Sequence, residues 1–295
     1  MEQWIQALNT ATEILLGKRS SDPDENSKEK DAIFTQQDET FEVVDKILTL
    51  NRHQCADCGK GGADWASINL GIVLCIECAG VHRRLGVQTS QVRSLRLDHD
   101  CWDEATVSVM LGISNERSNK VWFEKITDEE RERVFEDREN LIRMKYQMGT
   151  WVGDGGDNDD DHDDDNNDEE MFRAAQRGDI IGLLRQLALG ANFNRHEDVT
   201  GMTALHYAAE ADSLACVQFL LRNGAEPGAL NSDGLAGFAM VPKKSTSDSM
   251  ILLLKPRTPG LPMQSTCDTR ASRQSSRRIS PSNSVSSNNR RRKLM

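Results

Sequence analysis

Apolar positions recur at helical spacing in some stretches of this chain and vanish in others. In residues 1–17, Trp4, Ile5, Leu8, Thr12, Leu15 and Leu16 fall near one face of a helix that Gly17 ends. One such helix cannot bury its face alone, so it needs a partner or belongs to something larger. Residues 18–40 are polar and read as linker. Phe41, Val44, Ile47 and Leu48 mark a helix over 41–50. Residues 65–74 alternate loosely, break at Gly71 and predict short strands. Residues 75–85 predict a helix stopped by Gly86, and 92–97 a further weak strand. Helical patterns follow at 102–111, 119–126 and 128–146. The pattern is lost over 152–170, returns over 171–255 and is lost again over 256–295.

Charge sharpens these boundaries. The net charge of −11 is carried by Asp154–Glu170, which holds eleven acidic residues and no Lys or Arg. Such a run repels itself and extends, so 152–170 reads as a disordered acidic linker. A calcium loop would need a spaced Gly and a closing Glu that the run lacks. The tail is basic, with ten Lys or Arg and one Asp from Lys255 to Met295, and rich in Ser; it reads as disordered. Within it, Arg277-Arg278-Ile279-Ser280 fits a basophilic kinase site at Ser280. Arg290-Arg291-Arg292-Lys293 suits a solvated tail, an import signal or a lipid contact. No run of 18 apolar residues is present, and the first residues lack the pattern of a secretory signal. Seven cysteines, four of them in metal spacing, point to a reducing compartment; Cys101, Cys216 and Cys267 read as ordinary thiols.

Residues 171–255 repeat themselves. Ala174-Ala175 recurs as Ala208-Ala209, and Gly190-Ala191 as Gly224-Ala225, both 34 apart. Thr203-Ala204-Leu205-His206 fits the T-x-L-H signature, so the region resembles ankyrin repeats, about three in number with the last degenerate. His206 then reads as a turn-stabilising side chain rather than a metal ligand.

Cys55, Cys58, Cys75 and Cys78 read C-x2-C-x16-C-x2-C, with Arg83 after four more residues. Two close pairs across a short loop suit four thiolates around one structural Zn2+, with no position left for water. Spacing alone leaves three uses open: a DNA finger, a protein-binding adaptor, or a scaffold that presents Arg83 to another protein's active site. DNA binding needs a basic stripe, and here Glu77, Asp98 and Asp100 dilute Arg83, Arg84, Arg93 and Arg96.

The segment from Cys55 to Asp98 closely resembles the zinc module of GTPase-activating proteins for Arf-family small GTPases. Trp65-Ala66-Ser67, Gly71, Cys75-Ile76-Glu77-Cys78, His82-Arg83, Leu85-Gly86-Val87 and Val92-Arg93-Ser94-Leu95 carry the likeness, with Asn119 and Lys145-Tyr146 as later landmarks. The following repeats point to the centaurin-beta subfamily, with coiled-coil, pleckstrin-homology and ankyrin parts. The resemblance implies an α+β zinc module over 41–151 and an all-α ankyrin stack over 171–255. Residues 1–17 would be the closing helix of a pleckstrin-homology domain whose sheet is absent here, in an N-terminally truncated chain.

The same resemblance implies Arg83 as an arginine finger, Trp65, Ile76, Leu97 and Asp98 as GTPase contacts or supports, and an Arf-family GTPase in its GTP form as partner. The chain would be an activator with no catalytic centre of its own, acting in membrane traffic from the cytoplasm at endosomal or plasma membranes. Its lipid-binding domain would be missing, and the ankyrin ligand is not specified. The alternative is a scaffold that binds GTPases or cargo without activating them. Arg84, Gln88 and the stretch His99-Asp100-Cys101 depart from the family pattern.

Overall fold

A computed structural model describes residues 41–153, 164–243, 245 and 248–254. The helix at 1–17, the linker 18–40, most of the acidic run and the tail with Ser280 lie outside them.

Helix α1 (41–50) buries Val44, Ile47 and Leu48 and exposes Phe41 and Leu50. Asn51 closes it by donating its side-chain amide to the Ile47 carbonyl at 2.7 Å. Three short strands then form one antiparallel sheet in the order β2-β1-β3. In β1 (Trp65–Ser67), Trp65 lies opposite Leu74 of β2 (Ile72–Leu74) and Ser94 of β3 (Val92–Ser94). Gly71 makes the turn between β1 and β2 at a φ of +65°, and a Cβ there would stand 2.6 Å from Ile113. Only glycine satisfies both conditions.

Helix α2 (Ile76–Leu85) follows β2 after one residue, Cys75, and ends at Gly86. Helix α3 (Glu104–Trp122) starts under an Asp103 cap, whose carboxylate accepts from Thr106 N at 2.7 Å. The spacing predicts two helices here, over 102–111 and 119–126. The structure has one run broken at Ser114, where φ is 60° and ψ 159°. Asn115 holds the break: its N–H donates to Asn51 Oδ1, its Oδ1 accepts from Val73 N and its Nδ2 donates to Gln54 O. The long helix expected over 128–146 is divided instead into α4 (Asp128–Phe135) and α5 (Arg138–Tyr146). Asp137 starts α5 afresh by capping Asn140 N.

The repeats supply α6 (Asp164–Gln176), α7 (Ile180–Ala188), α8 (Ala204–Glu210) and α9 (Leu214–Arg222). A 3-10 turn (Gly237–Met240) and α10 (Asp248–Leu254) form the reduced last unit. Because α6 begins at Asp164, the last part of the run read as linker through 170 is helical. Asp168 pairs with Arg195 at 3.3 Å. His206 accepts from Thr203 N at 3.1 Å through Nδ1 and donates from Nε2 to the Leu235 carbonyl at 3.0 Å. It therefore ties one repeat to the next turn. Cys216 is a buried free thiol pushed up to about 11 by burial, while Cys267 lies outside the described residues.

The zinc module and the repeats fall in one compact unit. α7 and α9 pack on α3, and a single apolar cluster runs from Cys55, Val109 and Ile113 through Ile180 and Leu183 to Phe219. Polar bonds cross the same seam. Asn69 and Asn223 exchange two, Asn69 Nδ2 to Asn223 Oδ1 at 3.1 Å and Asn223 Nδ2 to Asn69 O at 3.0 Å. Gln91 Nε2 donates to the Arg222 carbonyl at 2.8 Å.

Candidate metal centre and arginine site

Cys55 and Cys58 lie on the loop before β1, and Cys75 and Cys78 at the start of α2. Their four sulfurs all lie within 4.8 Å of one another, with Cys58 Sγ 3.7 Å from Cys75 Sγ. A tetrahedral zinc with Zn–S bonds of about 2.3 Å places its sulfurs about 3.8 Å apart, so this donor set fits one ion. Burial, reinforced by the neighbouring Cys55 sulfur, pushes the Cys58 thiol up to about 11. The hydrogen bond to Cys55, together with burial, raises Cys78 further. Thiols so placed do not ionise together unless a dication takes up the charge.

Asp57, between the first two cysteines, is buried and collects a polar cluster. Its Oδ1 accepts from Lys145 Nζ at 3.0 Å and Tyr146 OH at 2.9 Å, and its Oδ2 faces His82 Nε2 at 3.0 Å. Burial alone would raise its pKa, but the Lys145 charge and the His82 bond hold it well below the usual carboxylate range. Lys145 also donates to Asn119 Oδ1 at 2.7 Å. Sequence reasoning noted Lys145-Tyr146 without giving the pair a role. The available signal was a lysine on the apolar face that Leu141, Ile142 and Tyr146 define.

Arg83 lies exposed on the last turn of α2, its guanidinium carbon 4.3 Å from the centroid of the Trp65 ring. The structure thus brings two of the expected residues into contact. Ile76 and Leu97 are bare apolar side chains, 64% and 70% exposed. Trp65 stands opposite Leu74 and Ser94, so Ile76 and Leu97, two and three residues further on, leave the sheet at the end Trp65 marks. Asp98 has an internal task, accepting from Ser94 N at 2.7 Å, while Ser94 Oγ accepts from Leu97 N at 3.1 Å. These bonds hold the loop that presents Leu97. Arg84 points elsewhere and pairs with Glu139 of α5 at 2.7 Å, beside a Glu77–Arg138 pair at 2.6 Å.

A small sheet-and-helix module with four clustered cysteines, an exposed arginine stacked on Trp65 and a stack of helical repeats packed on its long helix defines a zinc-site module joined to a repeat stack. Residues 41–155 match the family described as "Putative GTPase activating protein for Arf", and residues 148–231 match "Ankyrin repeats (3 copies)". The ADP-ribosylation factor GTPase-activating protein AGD1 of Arabidopsis thaliana is 43% identical over 91 residues, 31% of this chain and 11% of that protein. The ARF GTPase-activating protein GIT2 of Homo sapiens is 32% identical over 192 residues, 61% of this chain and 25% of that protein. The human Arf-GAP with Rho-GAP domain, ANK repeat and PH domain-containing protein 3 is 46% identical over 84 residues, 28% of this chain and 5% of that protein. The chain therefore spans a quarter or less of these three relatives. It carries an ArfGAP domain followed by ankyrin repeats.

Proposed function

We propose that this chain accelerates GTP hydrolysis by an Arf-family small GTPase, with Arg83 supplied in trans to the GTPase's active site. The observation that carries this reading is an exposed guanidinium on a helix whose first turn is held by two zinc ligands. Charge builds on the transferring and leaving oxygens as the γ-phosphoryl group departs. A fixed cation placed there stabilises the transition state by about 10³–10⁵ in rate. Ile76 and Leu97 supply bare apolar surface for docking, and Trp65 restrains the arginine by cation–π stacking. The zinc builds the frame and takes no part in the chemistry. Bond breaking takes place in the GTPase, and this chain acts as its activator. Action at an endosomal or plasma membrane belongs to the same reading.

Single-turnover hydrolysis by a panel of Arf-family GTPases on lipid vesicles tests the reading. Arg83→Ala is expected to lose at least about a hundredfold in acceleration with zinc content and GTPase binding retained. Arg83→Lys should rescue little, because the planar fork is lost. Arg84→Ala should stay close to the parent, since Arg84 faces Glu139. Full acceleration by Arg83→Ala, or none by the parent on any GTPase, would favour a binding scaffold.

A further inference from the structure

The zinc restrains only the beginning of α2. Cys75 and Cys78 fix its first turn, while Arg83 stands five residues beyond Cys78, about 7.5 Å along the helix axis. The residue immediately before it, His82, is fully buried, whereas Arg83 and Arg84 are exposed and Gly86 ends the helix. His82 Nε2 meets Asp57 Oδ2 at 3.0 Å. A carboxylate only accepts, so Nε2 carries the proton and donates it. His82 Nδ1 shares a second bond with Ser90 Oγ at 2.9 Å, and Ser90 Oγ lies 2.8 Å from Ser67 Oγ in β1. Lys145 and Tyr146 lock Asp57 from the other side.

Both ends of α2 are therefore referenced to the same zinc loop. Its start is held through the metal ligands, and its last turn through Asp57, which sits between Cys55 and Cys58. As a stabilising device this arrangement is poor, since buried ionic clusters are commonly no better than apolar packing. Its value lies in geometry. A transition-state cation must be held to within about 0.5 Å, and a displacement of about 1 Å can cost about a hundredfold in rate.

We propose that His82, through its bond to Asp57, is a positioning residue for Arg83. It fixes the turn that carries the guanidinium and keeps it over the Trp65 ring. This rests on Arg83 being the finger, and its test separates the two ideas. His82→Phe fills the site without a donor. His82→Gln keeps an N–H near the Nε2 position. His82→Asn, too short to reach Asp57, replaces the Phe variant if that protein fails to fold. All are checked for one zinc and a folded module.

Two readouts are then taken. Without any GTPase, the NMR signal of the Arg83 Nε–H group reports its place over Trp65 through the ring-current shift. With the GTPase, single-turnover rates give the saturated rate and the half-saturating concentration separately. For His82→Phe, the Arg83 signal should move towards that of a free arginine, and the saturated rate should fall tenfold or more at unchanged half-saturation. His82→Gln should restore the signal and bring the rate to within about threefold of the parent. An unmoved Arg83 signal in folded His82→Phe would overturn the proposal. So would failure of folded His82→Gln to recover, which would show that donation to Asp57 is not what places Arg83 and would leave the Ser90 bond as the source of the effect. If the parent accelerates no GTPase while the signal responds as described, the arginine-finger reading fails and the positioning role stands.

Discussion

Single side chains in this protein divide into those that build the frame and those that the frame displays. Cys55, Cys75 and Cys78 are buried and Cys58 half-buried, so the ion they hold belongs to the core of the first module. Binding energy for such a metal is folding energy, because the ligands are not assembled in the unfolded chain. Elemental analysis is expected to give about one zinc per chain. Cys58→Ser and Cys75→Ser should each lose it and unfold the module, read by tryptophan fluorescence, and a folded, metal-free parent would refute this. Zinc displaces thiol protons from its ligands, and burial raises the Cys58 thiol, so apparent zinc affinity should fall as pH falls. The displayed residues obey a different logic. Ile76 and Leu97 are exposed although apolar, and Arg83 rests on an aromatic face instead of a carboxylate. Arg84, one position on, is spent on a surface pair with Glu139 that is worth little. A neighbouring arginine of the same chemistry is thus removed from the face where Arg83 stands.

Elements follow the sequence where the information is local and leave it where a distant partner decides. α2 was readable because two ligands open it and Gly86 closes it, and the repeats were readable because a period of 33 to 34 residues returns the same small and apolar residues. The cysteine site needed only spacing. The break in α3 was not readable, because Ser114 leaves helical geometry in a setting where Asn115 bonds to residues 42 to 64 positions away. Nor was the seam to the repeats, where Asn69 and Asn223 meet across 154 residues. His82 is the instructive case in the site. It was visible as part of a motif, but its task depends on Asp57 and Ser90, 25 and 8 residues distant. One seam contact has a testable pH signature. Arg185 of α7 donates to Glu124 just beyond α3 at 2.9 Å, and Gly153 N donates to the same carboxylate at 3.0 Å. The hydrogen bond from Arg185 lowers the Glu124 pKa below its ordinary 4.5. A depressed carboxylate contributes stability that is present above the unfolded value and is lost as pH falls through the folded one. Glu124→Gln should therefore cost up to about 1 kcal/mol at pH 7, and the gap to the parent should close below pH 4.5. A gap independent of pH in urea titrations would show that the charge is not the source.

On the scale of the whole molecule, the ArfGAP domain and the ankyrin repeats share one apolar cluster. Val109 and Ile113 of α3 are fully buried, and so are Leu183, Leu184, Val217 and Phe219 on the repeat side. Packing is close at the contact: a Cβ on Gly112 would come within 3.3 Å of Ile180. Cutting the chain after residue 153 would uncover this face of α3 and strand Asn69 and Gln91 without their partners Asn223 and Arg222 at the end of α9. Each large apolar side chain returned to water costs about 1.5–3 kcal/mol, against a total domain stability of about 5–15 kcal/mol. Losing two or three such contacts therefore consumes a large part of that margin. We expect residues 41–254 to unfold in one cooperative urea transition whether followed by tryptophan fluorescence, dominated by Trp65, Trp102, Trp122 and Trp151 of the first module, or by circular dichroism, which weights the repeat helices. Residues 41–153 alone, with zinc retained, should unfold at a clearly lower urea midpoint. Zinc chelation in the longer protein should lower both signals together, because the ion and the repeats stabilise one core. Separate transitions for the two probes, with the midpoint of 41–153 unchanged, would mean that the shared cluster contributes no cooperativity and that the repeats act as an independent body.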